Sequence, residues 1–266
     1  MTGIRASSRK DLLPDAAKQH RRAGRRSVGA VAPAATFETL DTPDGEVAFR
    51  LEPVPAAERT RRAAGSAGVV NGIVGSPKNG RPMAYPNRYV GRLMVLLEVS
   101  PDVLSYETFP ERVLFSLGGE EHRHVPALRV HRRDGSTAVV DIGYGVAPPD
   151  GGPKARVLTA IYARRGWRYQ RIPKAAVSVE PRLGNAAEIL AHAHFTPPPG
   201  TERAVVGALT GRGWRVIREV EADLPSEPYT RATLLALALR GDVQADLAAP
   251  EIAAMRVRLE FWSVRR

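Results

Sequence analysis

Apolar positions along this 266-residue chain change their spacing several times, and each change marks an element. The run R-L-M-V-L-L-E-V predicts a helix from about Leu93 to Val99. Phe109, Val113 and Phe115 then recur at even spacings, which puts them on one face of a strand. Two β-rich runs, P-A-L-R-V and A-V-V-D-I-G, flank the turn from Arg132 to Gly135. Asp-Gly between β-branched runs predicts a tight hairpin. A-T-F-E-T-L and E-V-A-F-R-L flank Pro43-Asp44-Gly45 in the same way and predict a smaller one. The glycine-rich stretch from Gly68 to Pro82 lacks the Gly-Lys-Ser/Thr ending of a phosphate-binding loop, so it is expected to be a connection.

The second half reads as more helical. After a Pro/Gly-rich break at Ala147 to Pro153, V-L-T-A-I-Y-A-R-R-G-W-R-Y predicts a helix that leads into a strand. A helix after Leu183 is stopped by Pro197 to Pro199. Thr201 is expected to cap R-A-V-V-G-A-L, and Ser226 to cap Y-T-R-A-T-L-L-A-L-A-L-R, with Gly211 and Gly241 ending these helices. V-Q-A-D-L and M-R-V-R-L-E-F-W alternate as strands. Three short helices followed by a β element is the pattern of a winged-helix domain. Such a domain lays one helix in the major groove or docks on protein. The chain thus divides into a basic arm (1–30, with a short helix from Leu12 to Arg22), a core (31–180) and a C-terminal winged-helix-like domain (181–266). The fold class is α/β.

Composition narrows the setting. Apolar residues make up 43%, enough for real cores, and there is no cysteine, which excludes disulfides and thiolate metal sites. No run approaches the ~18 apolar residues of a membrane span, and the N-terminus has no apolar signal region. A cytoplasmic protein without membrane contact is expected. The net charge of +11, carried mostly by Arg, points to DNA as partner. Arg21, Arg22, Arg25 and Arg26 in the arm, with Arg132 and Arg133 in the hairpin turn, are the candidate phosphate contacts. High-GC coding would also enrich Arg without any partner.

The segments Leu96 to Pro110, Val125 to Ala127, Val139 to Gly143, Gly166 to Tyr169 and Leu239 to Leu247 follow one another at the spacing of a known family. Together they make residues 65–260 resemble TnsA, the endonuclease subunit of heteromeric transposases. The resemblance implies a restriction-endonuclease-like core, a mixed sheet flanked by helices that holds catalytic Mg²⁺. It also implies cleavage of transposon 5′ ends in DNA transposition, beside a DDE-type transposase that cuts the 3′ ends and an AAA+ ATPase regulator. On the family pattern the helix acid falls on Val90 or Gly91, the first strand acid on Ala127, the second on Asp141 and the lysine on Gly143. One ligand of the set remains. Glu98 and Glu111 are the alternative metal ligands. The competing reading is a pseudo-enzyme, a non-catalytic DNA-binding or assembly subunit that keeps the fold as scaffold. What separates the two is whether Asp141, Glu98 and Glu111 converge.

Other residues point less far. The plainer role of Asp141 is a strand-end carboxylate at the surface. His122 and His124 share a strand face, with His131 across from them, and three imidazoles can bind Zn²⁺. His192 and His194 cannot share a helix face. Trp167 and Trp214 each follow a glycine turn and fit core aromatics better than base-stacking ones.

Overall fold

The Pro43-Asp44 hairpin joins β1 (Glu38–Thr42) to β2 (Gly45–Pro53), and Gly45 supplies the turn with φ +106°. The structure is a computed structural model that describes residues 36–64, 70–144 and 151–260. The basic arm, its four arginines and its expected helix lie outside the described residues, as does most of the break before Pro153. A short helix α1 (Ala56–Ala63) follows the hairpin. The expected connection is instead largely an antiparallel hairpin of β3 (Gly72–Ser76) and β4 (Arg81–Tyr85). Its paired residues Val74 and Met83 both bury in the core, which gives this glycine-rich segment its reason to pair.

Helix α2 (Arg88–Glu98) starts earlier than its apolar stripe. The Asn87 side chain accepts hydrogen bonds from the Tyr89 and Val90 amides, satisfying two otherwise orphaned donors. The strands β5 (Val103–Thr108), β6 (Glu111–Leu117), β7 (Glu120–His124), β8 (Leu128–Arg132) and β9 (Thr137–Gly143) follow, then α3 (Pro153–Ala163) and β10 (Arg168–Pro173). Phe109 lies in the turn between β5 and β6 with φ 49°, not in a strand. The chain builds two four-stranded sheets. The central one runs β10-β9-β8-β5, antiparallel except for β9 and β10, which are parallel and linked through α3. The second, β1-β2-β6-β7, is wholly antiparallel.

Strand alternation gives the central sheet two different faces. Tyr106, Leu128, Val130, Val140 and Ile142 bury in the same core as Leu93, Met94 and Leu97 of α2. On the other face Val139 packs with Val157, Leu158 and Ile161 of α3 and with Phe49, Val113 and Phe115 of the second sheet.

The C-terminal part contains α4 (Arg182–Ala191), α5 (Pro199–Leu209), β11 (Arg215–Val216), α6 (Ile217–Asp223), α7 (Thr230–Arg240), β12 (Val243–Ala245) and β13 (Arg256–Leu259). The three short strands pair antiparallel in the order β11-β13-β12. Neither expected N-cap is one. Helix α5 begins with Pro199 at its first turn, so Thr201 sits inside that turn and donates to Glu227 at 2.5 Å. Helix α7 begins after Tyr229, three residues beyond Ser226. Helix α6, not foreseen, is too short for a clear period.

The expected boundary at residue 181 does not coincide with a break in packing. Ala186 and Ile189 of α4 and Leu234 to Leu239 of α7 belong to the same apolar cluster as α2 and the central sheet. The described residues group as one compact unit. Among the described residues no helix is long and apolar enough to cross a membrane.

Candidate functional site

Asp141 sits in β9 on the face turned toward the second sheet, and its side chain is only 14% exposed. Ala127 lies just before β8, the hairpin partner of β9, and its amide donates to Asp141 Oδ1 at 2.9 Å. His124 Nε2 and the Tyr169 hydroxyl both reach Oδ2 at 2.7 Å. Asp141 is therefore an inward cross-link between β7, β8, β9 and β10, not a surface carboxylate. Burial works to raise its carboxyl, but the hydrogen bond and charge of His124, with the bonds from Tyr169 and the Ala127 amide, hold it below the usual range. Burial and the Asp141 charge in turn push the Tyr169 hydroxyl up.

The other aligned positions lie as follows. Val90 is 2% exposed inside α2 and carries no ligand atom. Gly143 has room for a side chain: an added Cβ would meet only the Ile172 carbonyl at 3.7 Å and the Arg171 guanidinium at 3.9 Å. The neighbouring strand β10 thus brings the Arg171 guanidinium beside Gly143.

Glu98 and Glu111 do not join Asp141. Glu98 is fully buried on the opposite face of the central sheet. It accepts hydrogen bonds from Ser76, from the Tyr106 hydroxyl at 2.6 Å and from the Lys78 amide at 3.2 Å. Glu111, in β6, is ion-paired with Arg129 at 2.9 Å. Its second oxygen is buried near the Tyr162 hydroxyl, which burial and the Glu111 charge push up, with a smaller contribution from Asp141. Glu111 and Asp141 therefore share the layer between the sheets, but each is bound to its own partner. Mg²⁺ takes carboxylates whose oxygens are available to it. Both oxygens of Asp141 and both of Glu98 already accept from protein donors, so these residues do not fit a magnesium site. Among the described residues no three His, Asp or Glu side chains come together as metal ligands.

The sequence matches no protein-family profile, and no curated protein is significantly similar to it.

The three strand histidines go separate ways. His122 stacks on Phe115, His124 holds Asp141, and His131 lies between Thr137 and Glu107. Trp167 packs against Tyr162 and under Arg129, as a core aromatic should. Trp214 is 39% exposed, with Arg258 4.7 Å and Arg256 5.7 Å from its ring. The hairpin-turn arginines are held internally. Arg132 pairs with Asp102, and Arg133 Nε donates to the Pro101 carbonyl at 2.7 Å. Every side chain of α7 from Thr233 to Leu239 is buried, and Arg231 and Arg240 near its two ends are exposed.

Two features had no clear sequence signal. One is a pocket of about 330 Å³ lined by Lys78, Val103, Leu104, Arg133, His192, Phe195 and Arg240, among others. Lys78 Nζ donates to the carbonyls of Ser100 at 3.0 Å and Val103 at 2.6 Å, and burial pushes its amine down to about 8. The other is a basic and aromatic cluster around Tyr89, built from the start of α2, the residue after β9 and the residue after β10. Its members are far apart in sequence, and only the parallel crossover brings them together.

Proposed function

We propose that the chain is a TnsA-like subunit of a heteromeric transposase that keeps the nuclease architecture as a DNA-binding and assembly scaffold and does not itself cut DNA. The order helix α2, antiparallel strands β5, β8 and β9, crossover helix α3 and parallel strand β10 supports the kinship that the sequence motifs imply. The C-terminal order α5, β11, α6, α7, β12, β13 is compatible with a winged helix. With α7 buried in the core, the exposed residues of α5 and the β11-β13-β12 sheet are the surface for a partner, for which a DDE-type transposase and an AAA+ ATPase are the candidates.

The observation that carries the scaffold reading is the use of Asp141. Phosphodiester cleavage needs a cation held where it can activate water and take up charge in the transition state. Here the remaining family acid gives both oxygens to the Ala127 amide, His124 and Tyr169. Each lost transition-state contact of this kind lowers the rate on the order of a hundredfold. The positive charge serves binding instead, through phosphates.

The test is a strand-cleavage assay on duplex DNA with Mg²⁺ or Mn²⁺, paired with duplex binding across a salt series. No cleavage above background is expected, with an affinity that falls steeply as salt rises. Metal-dependent cutting that Asp141→Ala abolishes would overturn the scaffold reading. Absence of binding at low salt would overturn the DNA reading.

A further inference from the structure

Several arginines among the described residues are neutralised by carboxylates. Arg112, Arg123 and Arg62 meet at Glu58, and Arg129 binds both Glu107 and Glu111. Arg156, Arg215, Arg231, Arg240 and Arg256 each have an acidic partner. The cluster around Tyr89 instead gathers cations without a carboxylate about one aromatic ring. Arg88 donates to the Tyr89 hydroxyl at 2.9 Å, and its guanidinium lies 4.9 Å from that ring. Arg92 lies 5.9 Å from the same ring and donates to Ser178 at 2.7 Å. Lys174 is exposed, and its amide is bonded to the Gly143 carbonyl at 3.2 Å, next to Tyr144. Among the described residues no carboxylate pairs with Arg88, Arg92 or Lys174. The bond from Arg88, then the charges of Arg88, Lys174 and Arg92, hold the Tyr89 hydroxyl below its usual range, so the three cations act on one point.

Tyr144 completes the group. It meets Tyr89 edge-on at 6.0 Å and is 55% exposed. An exposed aromatic ring beside uncompensated cations is the arrangement that binds a single nucleic-acid strand, the cations taking phosphates and the ring a base. A duplex has no unstacked base to offer the ring. The cluster also lies at the C-terminal ends of β9 and β10, with Tyr144 and Lys174 each three residues beyond Asp141 and Arg171.

We propose that Arg88, Arg92 and Lys174, with Tyr89 and Tyr144, form a binding site for a single DNA strand, with the cations on consecutive phosphates and Tyr144 stacked on an unpaired base. This site rests on the DNA-binding reading above and gives it a location outside the arm and the hairpin turn.

The test uses the full chain and a fluorescent oligothymidine, read by anisotropy. One variant carries Arg88→Gln, Arg92→Gln and Lys174→Gln. A control removes the same charge from exposed positions elsewhere, Arg61→Gln, Arg203→Gln and Arg218→Gln. Three phosphate contacts to a single strand are worth about a hundredfold in affinity at 0.1 M salt, and about two units of the salt slope. The cluster variant should lose that much and the control far less. The double variant Arg88→Gln, Lys174→Gln spares the Ser178 bond and should lose about tenfold or more. Tyr144→Ala should weaken oligothymidine on the order of tenfold and leave duplex affinity nearly unchanged. Inorganic phosphate at the same phosphate concentration should not displace the oligonucleotide. Equal losses in cluster and control variants, or displacement by inorganic phosphate, would overturn the site while leaving the DNA reading intact. Failure of the unaltered protein to bind any DNA would overturn both.

Discussion

His124 Nε2 stands 2.7 Å from Asp141 Oδ2, and this contact ties the last residue of β7 to β9, one strand from each four-stranded sheet. Tyr169 binds the same oxygen from β10, so one carboxylate links three strands. The residue that the resemblance to TnsA would make a metal ligand thus acts as a brace.

Removing that brace should be costly. Asp141→Ala leaves a histidine, a tyrosine and a backbone amide without their acceptor, and about 3 kcal/mol or more of stability should be lost. Urea unfolding measures it. The pH dependence has a definite sign. The folded carboxyl lies below its unfolded value, so its contribution is complete above the unfolded value of about 4 and is lost as pH falls through the folded one. The stability gap between the unaltered protein and Asp141→Asn should therefore shrink in acid below about pH 4. A gap that widens there would contradict the assignment.

Glu98 should behave as a structural acid. Glu98→Ala strands the donors of Ser76 and Tyr106 inside the core and should cost about 3 kcal/mol in urea unfolding. A loss below about 1 kcal/mol would show that water reaches this site.

Lys78 should be the most reactive of the described lysines toward a small acylating reagent. With its amine at about 8, roughly half is neutral at pH 8, against well under about 1% for an ordinary lysine. Mass spectrometry over a time course of acetic anhydride treatment should find Lys78 modified before Lys154 and Lys174. The same shift makes the protein gain stability relative to Lys78→Met as pH rises from about 8 toward 10.5, because the unfolded lysine then binds more proton than the folded one.

Gly241 should resist substitution. It ends α7 with φ +79°, and an added Cβ would lie 3.3 Å from the Arg133 guanidinium and 3.7 Å from Pro101 Cα. Gly241→Ala should cost about 1–2 kcal/mol, or roughly 5 °C in the thermal midpoint.

Local rules made much of the fold legible. Asp44-Gly45 and Asp134-Gly135 each mark a hairpin, because few residues other than glycine accept that turn. Gly241 marks the end of α7 for the same reason. The β3–β4 hairpin was hidden because glycine carries no alternating side chain, so Val74 and Met83 are too sparse a pattern. The capping expectations at Thr201 and Ser226 failed because prolines and a tertiary partner, Glu227, set the helix starts. Asp141 was visible as a residue but not as a brace, since His124 and Tyr169 reach it from strands that pair only in three dimensions. Arg132 and Arg133 looked available because Asp102 and Pro101 lie thirty residues away.

The packing of α4 and α7 into the core under α2 has an evolutionary consequence. A recombination joint near residue 181 would separate Leu93, Met94 and Leu97 from Ala186, Ile189 and Leu234, leaving each fragment with an uncovered apolar face. Exchange of the C-terminal half between relatives is therefore restricted to donors whose α4 and α7 match this α2. New partner specificity is more readily acquired by changing the exposed residues of α5 and the β11-β13-β12 sheet, which are free to vary without disturbing that fit.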